Sequence, residues 1–590
     1  MICTMNFRSR FLSGVLVVMA AVMAVAGCSD SDGGKSGDGD TSTLNGDTSS
    51  NSATGDTADT ATDTGQDTDT PSHNNDTNTV GSTDSGTDSD VLTCEMAAEH
   101  RTYEGCDFWP TVTYNQVWYN YETSEGFEFA VVVANNRSQD AAVQVTGGAL
   151  TQPIATTVPA GELRAIVLPW VESLKGTQFT NPNTSGDRAT ASVRQNAGAY
   201  HLTSSTPVTV WQFSPLEYQL DPEPVGCIDS METSTQTPTQ CLSVTNDASL
   251  LLPSTALTGS YRVFTYGGEN GGAWGDAPGA IAITATQDNT LVRVQLTGGI
   301  AAGTGVAATA AGEVVEYTMN AGDVVQLLGA AGASGMDHAD LSGSAVVGLD
   351  AANPGSDANL NYKSVQVIGL SPILEFGSSA DHVEESVLPA EALGHHYLIA
   401  PPTGPTGVAV AHRVRLVGSV DGTVLTYGAT VPTGAPTSLN AGQVAEVEST
   451  TPFTVTAQDE NHPFMAVSYM SGTEPSVSAM VTPAQFRMDY SFLAPISYEQ
   501  NYIDILAQST TTIQLDGAAL TVTGAPIDNS GWLIYRVPLT SGPAGDGKHY
   551  LEADAPVGLQ VMGFGHATSY YYPGGLNLEI ISEPLVVIVE

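Results

Sequence analysis

The residues of this chain that are best placed to do chemistry lie around His382, in the stretch SSADHVEESVLP. Asp381, Glu384 and Glu385 flank that histidine, and carboxylate oxygens are the ligands that calcium takes in proteins. The stretch could therefore hold calcium at a junction between two folded units. We favour a solvated loop, because charged side chains usually face water. Calcium stays an unsupported candidate, and no other cofactor is predicted.

Motifs for catalysis are missing from the sequence. No GxSxG marks a serine nucleophile, and no HExxH marks a metalloprotease helix. His395 and His396 begin a predicted strand, in which adjacent side chains point to opposite faces, so they cannot bind one ion together. The sequence therefore predicts no catalytic residues and no metal site.

Two aromatic segments are candidates for contact with a partner. Tyr570, Tyr571 and Tyr572 follow one another in SYYYPGG, and one face of such a run in a strand can be exposed. Trp274, in the loop GGENGGAWGDAPG, and the preceding Tyr266 could stack on a sugar or a peptide. Half-buried packing, and a long hairpin loop pinned by one aromatic, are the structural alternatives.

The N-terminus has the features of a lipoprotein signal. A basic start, an apolar run and the small residues VAG precede Cys28, which resembles the lipobox cysteine that is acylated after cleavage. We therefore predict a signal peptide over 1–27, export, and lipid attachment at the bacterial outer membrane or cell surface. An uncleaved anchor helix, or a plain signal with an incidental cysteine, are the alternatives. No later apolar run reaches the roughly 20 residues that span a bilayer, so lipid is the expected membrane contact.

Four cysteines remain for the exported part: Cys94, Cys106, Cys227 and Cys241. An even number in an oxidising compartment predicts disulfides, and among three connectivities we favour the two local pairs, 94 with 106 and 227 with 241. A zinc site is disfavoured, because no CxxC spacing or nearby histidine pair occurs.

The segment 28–90 is rich in Asp, Ser, Thr and Gly and predicts a disordered tether. The whole chain carries 63 acidic and 17 basic residues, a formal charge of −46. Such a chain repels nucleic acid and anionic membranes, so neither is expected as a direct partner.

Beyond residue 90 the sequence alternates in the way of half-buried strands, as in FEFAVVVAN and AAVQVTGG. Similar short motifs recur along this part of the sequence. GAYHLTSSTPVTVWQFS and GKHYLEADAPVGLQVMGFG each open with Gly and carry a Pro nine residues later, which suggests a strand, a polar turn and a second strand. Ala-Gly corners and Asp-turn hairpins also recur in a constant order.

These repeated motifs predict an all-β chain of about four related modules, at 91–225, 245–355, 390–475 and 485–590. We favour tandem β-sandwiches, because seven strands overfill a four-stranded propeller blade. A single propeller-like closed array is the alternative.

Several longer motifs resemble a known family. They are TYEGCDFWPT, FEFAVVVANN, VPAGELRAIVLPW, AYHLTSSTPVTVWQFSPLEY, TNDASLLLPSTALTGSYRVFTY and DAPVGLQVMGFGHATSYYYPGG. Together they resemble the IgGFc-binding protein N-terminal domain family, in its bacterial, myxobacterial-type lipoprotein form. The resemblance implies an extracellular, β-rich protein, and it brings no catalytic motif.

The leading hypothesis is therefore non-enzymatic: a lipid-anchored surface protein whose β modules bind or adhere to an extracellular protein or glycan. A secreted hydrolase acting on polysaccharide, or a passive scaffold of the envelope, are the alternatives.

Overall fold

Strands separated by Gly, Pro and Asn turns dominate this computed structural model, which is 50% strand and 4% helix. It describes residues 92–115, 127–176, 191–220, 242–267, 278–332, 338–356 and 359–585, all within one compact unit. The described helices are α1 (Cys94–His100), α2 (Glu172–Lys175) and the 3₁₀ turns Ala390–Ala392 and Pro483–Gln485. The predicted all-β class is confirmed.

Four consecutive β-sandwiches share one strand topology. We label the seven strands of each sandwich A to G in chain order. One sheet has the order D-C-F-A and the other the order E-B-F-G, because strand F pairs with the first sheet through its N-terminal half and with the second through its C-terminal half. The repeats in the sequence therefore correspond to repeats of a complete sandwich.

In the first and fourth sandwiches, strand F is one long, continuous strand. The first sandwich has A to G as β1 (Gly105–Phe108), β2 (Ala130–Ala134), β3 (Ala141–Gly147), β4 (Ile154–Val158), β5 (Leu163–Val167), β7 (Tyr200–Ser214) and β8 (Asp247–Leu251), with β6 (Ser192–Gln195) inserted before F. The fourth has β28 (Arg487–Leu493), β29 (Gln500–Gln508), β30 (Ile513–Leu515), β31 (Ala518–Ala519), β33 (Trp532–Pro538), β34 (Lys548–Gly565) and β35 (Thr568–Pro573), with β32 (Ala525–Pro526) inserted before E.

In the second and third sandwiches, strand F is split in two. The second has β9 (Ser260–Arg262), β10 (Ala280–Ala285), β11 (Thr290–Gln295), β13 (Val314–Met319), β14 (Val324–Leu328), the F pair β15 (Ala345–Asp350) and β18 (Val365–Phe376), and β19 (Ser379–Ser386); β12 (Gly303–Thr304), β16 (Gly355–Ser356) and β17 (Asn359–Leu360) are insertions. The third has β20 (His396–Ile399), β21 (His412–Gly418), β22 (Thr423–Tyr427), β23 (Ser438–Leu439), β24 (Val444–Ser449), the F pair β25 (Phe453–Ala457) and β26 (Phe464–Met470), and β27 (Val477–Ala479).

The long strand F corrects one sequence-based interpretation. The stretches around Pro207 and Pro556 were expected to form a strand, a turn and a second strand. Each is a single strand that changes sheets near the proline, and the neighbouring A strand shifts register at the same place. The missing N–H of proline suits this crossing point, because no ladder bond is required there.

Strand pairing also locates the ends of the sandwiches. The G strands β8 and β19 complete the first and second sandwiches, although the predicted modules end at residues 225 and 355, before these strands. The recurring motifs show that the sequence contains repeats, but they do not show where one sandwich ends and the next begins. The predicted module boundaries therefore differ from the observed ones.

The G strands bring the four sandwiches together. β8 contacts β19 and β35, and β27 contacts the same two strands. The sandwiches therefore stand around these four strands in a four-bladed, propeller-like arrangement. The two architectures considered from the sequence are combined, since each blade is a whole sandwich.

A buried tyrosine on strand A pins strand F in three sandwiches. The hydroxyls of Tyr261, Tyr397 and Tyr490 donate to the carbonyl oxygens of Val365, Phe464 and Val557, at the start of the C-terminal half of strand F. Each hydroxyl also accepts a backbone N–H from three residues upstream. The tyrosine thus ties the two sheets together at the crossing point.

We expect Tyr397→Phe to lower the free energy of unfolding by about 1–2 kcal/mol, because it leaves the buried carbonyl of Phe464 and the N–H of Gly394 without this partner. Urea unfolding followed by circular dichroism measures the change. Tyr550→Phe removes the same hydroxyl from a side chain that is 39% exposed, and should cost less than about 0.5 kcal/mol. Equal losses for the two variants would contradict the pinning role.

Candidate functional site

The predicted tyrosine contact patch is buried. Tyr570, Tyr571 and Tyr572 are at most 1% exposed, because they lie on β35, the G strand at the centre of the four sandwiches. The Tyr570 hydroxyl donates to Asn501, and the Tyr572 hydroxyl donates to the Leu493 carbonyl. The prediction of an exposed aromatic face is therefore wrong for these three residues, since neighbouring sandwiches cover both faces of the strand.

Tyr266 is also internal rather than exposed. It is 3% exposed and packs at the junction of the second and third sandwiches, where the guanidinium carbon of Arg415 lies 3.8 Å from its ring centre. The contact role predicted for Tyr266 is therefore wrong, and Trp274 lies outside the described residues.

The cysteine prediction is confirmed for one pair. Cys94 and Cys106 form a disulfide with Cα atoms 5.7 Å apart, which ties α1 to β1. Cys28, Cys227 and Cys241 lie outside the described residues, so acylation and the second pairing stay predictions.

The acidic stretch at 381–385 is a buried strand, not a solvated loop. It forms part of β19, the G strand of the second sandwich, and its side chains from Asp381 to Glu385 are at most 1% exposed. His396 fits the structural role expected for it, since its ring is hydrogen-bonded to Thr456. Among the described residues, no group of three or more His, Cys, Asp or Glu is arranged to hold a metal ion.

The buried carboxylates join the G strands of different sandwiches. Asp247 of β8 accepts the backbone N–H of Glu384 in β19, at 2.7 Å. Asp381 of β19 accepts the backbone N–H of Ser569 in β35, at 2.8 Å. Ser569 in turn donates its hydroxyl to the carbonyl of Glu474, just before β27. These acids thus supply hydrogen bonds between strands that belong to different sheets.

Burial raises the pKa of Asp247, Asp381 and Glu385 well above the ordinary carboxyl range, and neighbouring carboxylates add to the shift. Their folded-state pKa values lie above the unfolded ones. The stability that they contribute is therefore complete below the unfolded carboxyl pKa, roughly 4, and is lost as pH rises through the folded values.

We accordingly expect the free energy of unfolding to fall from about pH 5 to pH 8, and the double variant Asp381→Asn/Glu385→Gln to flatten that dependence. Urea midpoints measured across this range test it. The general repulsion of an acidic chain acts in the same direction, so Glu460→Gln, which neutralises an exposed carboxylate, is the matched control. An equal flattening by the control would contradict the assignment.

Two neighbouring open cavities lie along the junction between the first and fourth sandwiches, and we name them together the junction groove. Its polar end, with a volume of about 370 Å³, includes Glu104, Arg137, Asp489 and Lys548. The Glu104 carboxylate lies 2.9 Å from Arg137, while Arg487, within the same cluster, lies 3.0 Å from Asp489. Its acids and bases are thus largely paired with one another.

The other end of the junction groove is mostly apolar and has a volume of about 580 Å³. Its apolar lining consists of Val132, Leu163, Ala165, Leu216, Leu220, Leu493, Pro495 and Ile496. Glu217 and Asp546 stand among these side chains, and burial raises the pKa of Glu217. Ile496 is 59% exposed, so an apolar surface is open to water here.

A lysine joins the two sandwiches at the polar end. Lys548 of the fourth sandwich donates to the carbonyl of Gly161 in the first, with Nζ and O 2.6 Å apart. The polar lining contains Gly161 and the apolar lining contains Leu163, two residues further on, so the two cavities lie next to each other along the junction. A concave surface with an apolar floor and a few polar groups suits ligand binding.

Sequence reasoning could not find this site. Its two walls come from residues more than 300 positions apart, such as Leu163 and Ile496, and they meet only because the ring closes. The local signal in the sequence is weak. It consists of Ile496, an apolar residue that follows Pro495 in FLAPISYEQ and has no alternating strand pattern around it.

The fold therefore defines the class of this protein. It is a ring of four β-sandwiches with an open groove at one junction. A family model described as IgGFc binding protein matches residues 247–563, which is more than half of the 590-residue chain. The chain therefore belongs to the IgGFc-binding protein family, and the predicted family is confirmed. The match extends from β8 to β34, and membership suggests a binding role.

No curated protein matches the chain. Within the described residues, no helix has the length and apolar character needed to cross a bilayer.

Proposed function

We propose that this chain is a non-enzymatic binding protein of the cell surface, which engages an extracellular protein through the junction groove. The observation that carries the proposal is the apolar end of the groove, where exposed Ile496 stands beside acidic Glu217 and Asp546. Family membership supports a protein partner rather than a glycan. The paired charges at the polar end would orient that partner, since charge complementarity fixes register more than affinity.

The test is binding of the full chain to an array of purified extracellular proteins that includes the Fc fragment of IgG. We expect saturable binding to at least one of them and a loss of at least tenfold in affinity for Ile496→Asp, because a charge would enter an apolar contact. Ile580→Asp is the matched control, since Ile580 is 61% exposed and lies outside the groove. Absence of any saturable ligand, or equal losses for both variants, would refute the proposal.

Attachment by lipid is part of the same proposal. The VAG–Cys28 pattern and the acidic segment that follows it support acylation of Cys28 and a tethered position outside the cell. We expect Cys28→Ser to move the protein from the membrane fraction to the soluble fraction. Unchanged partitioning of the variant would contradict a lipid anchor.

A polysaccharide hydrolase is the second candidate, and one observation favours it. Glu217, whose pKa is raised by burial, lines the same cavity as Asp546, and a glycosidase needs a protonated acid near a second carboxylate. Turnover of a polysaccharide that is abolished by Glu217→Gln would establish this function. Binding without turnover, retained in Glu217→Gln at reduced affinity, supports the binding protein.

A further inference from the structure

Strand E is the outer strand of the second sheet in every sandwich, and in the second sandwich its outer edge accepts an extra strand. β14 pairs with β6, which the chain inserts from the first sandwich, and Gln326 lies opposite Val193 and Val325 opposite Arg194. Val193 and Arg194 are consecutive, so their side chains lie on opposite faces of the added strand.

The fourth sandwich repeats this arrangement. Its E strand, β33, pairs on its outer edge with the short strand β32, with Ala525 opposite Ile534. Two of the four E strands therefore accept an added strand from within the same chain. The fold uses this edge as an acceptor of extended backbone.

In the first sandwich, none of the described strands covers the corresponding edge. Among these strands, β5 pairs with β2 alone, and bonds from Asn135 N–H to Glu162 and from Leu168 N–H to Phe129 fix which of its residues face that partner. Backbone direction alternates along a strand, so the backbone groups of Leu163, Ala165 and Val167 point away from β2. Within the described part of the chain, no hydrogen bond reaches these outward groups.

The same strand forms a wall of the junction groove. The side chains of Leu163 and Ala165 line its apolar end, and Val167 is 47% exposed. A strand added beside β5 would direct every second side chain to this face. An apolar side chain there would cover the open floor, and a basic one would approach Glu217 and Asp546.

Resting on the proposed function, we infer that β5 is a strand-acceptor site, and that the partner docks by adding an extended segment whose groove-facing side chains are apolar and basic. Backbone hydrogen bonds to Leu163, Ala165 and Val167 would supply affinity, and the groove would select the side chains. The acidic groove, in a chain of charge −46, complements a basic segment. β6, which pairs with the outer edge of β14, is the internal example of such strand addition.

The probe is a fluorescent peptide, Thr-Leu-Thr-Arg-Thr-Leu-Thr, titrated against the full chain. Leu and Arg share one face of this peptide when it is extended, and Thr occupies the other. We expect saturable binding that weakens with added salt, at least tenfold weaker binding when alternate peptide nitrogens are methylated, and a similar loss when Arg is replaced by Glu. Methylation leaves the protein unchanged, so this arm is independent of folding.

Protein variants provide the second arm. Ala165→Pro removes an outward N–H from β5 without removing a bond to β2, and should weaken peptide binding at least tenfold. Glu448→Pro makes the same change at an outward position of β24, the E strand of the third sandwich, and should leave binding unchanged. Glu217→Gln/Asp546→Asn should lower affinity about fivefold or more and remove most of the salt dependence.

Hydrogen exchange locates the contact. Peptide binding should protect the amides of Leu163, Ala165 and Val167. No binding, binding insensitive to methylation, or no protection of these amides would overturn the inference. If a protein partner still binds and is lost in Ile496→Asp, the proposed function stands without strand addition. A dimer that Ala165→Pro dissociates would identify a second copy as the occupant, and would overturn the inference of a partner segment.

Discussion

Asp381→Ala should destabilise the protein by about 3–6 kcal/mol. The substitution leaves three buried donors without their acceptor, namely the N–H groups of His382 and Ser569 and the hydroxyl of Thr568. Each unsatisfied buried group costs about 1–3 kcal/mol, and the whole stability of a domain is about 5–15 kcal/mol. Chemical denaturation followed by tryptophan fluorescence measures the loss, since Trp211 is buried in the same core cluster as Tyr570.

The conservative variant makes this prediction specific. Asp381→Asn keeps a carbonyl oxygen that can accept from Ser569 and Thr568, and it loses only the bond to His382. We expect it to cost less than half as much as the alanine variant. Hydrogen exchange should show a newly exposed Ser569 amide in the alanine variant alone. Equal losses in the two variants would mean that Asp381 does not join β19 to β35.

Arg415→Ala should have the second-largest effect, a loss of about 2–4 kcal/mol. Arg415 of the third sandwich lies 2.6 Å from Asp340 and donates to the Thr265 carbonyl of the second, and it stacks on Tyr266. Its side chain is 10% exposed, so removal leaves acids and a carbonyl without their partner at a mostly buried junction. Thermal unfolding at several salt concentrations measures this loss.

Arg415→Lys separates charge from geometry. A lysine keeps the positive charge, but it has neither the planar fork nor the stacking surface of the guanidinium. We expect it to recover about half of the stability lost in the alanine variant. Full recovery by lysine would show that charge alone matters, and no effect of either variant would contradict a structural role for this junction.

The sequence predicts much of the local structure and little of the assembly. Alternating residues, Ala-Gly corners and the recurring prolines predicted an all-β chain of about four modules. Pro207 and Pro556 marked equivalent places in the first and last sandwiches. A polar stretch before a proline is compatible with a turn and also with the exposed middle of a bent strand. The structure shows a strand, because the two halves of β7 pair with β3 and β2.

The predictions for the three consecutive tyrosines and for the acidic stretch failed for one shared reason. Tyr570 and Asp381 lie on G strands, which are edge strands in a single sandwich and become internal only when four sandwiches meet. Pattern reasoning treats each strand in its own sheet, so it expects one exposed face. The junction groove was missed for the same reason, because its walls belong to the first and last sandwiches.

Hydrogen exchange on the full chain, alone and with the array protein that binds it most tightly, tests the binding site most directly. We expect protection confined to the groove segments 161–167, 216–220 and 493–497, with no change in the G strands. Protection on another surface, with these three segments unaffected, would contradict the claim that the junction groove is the binding site.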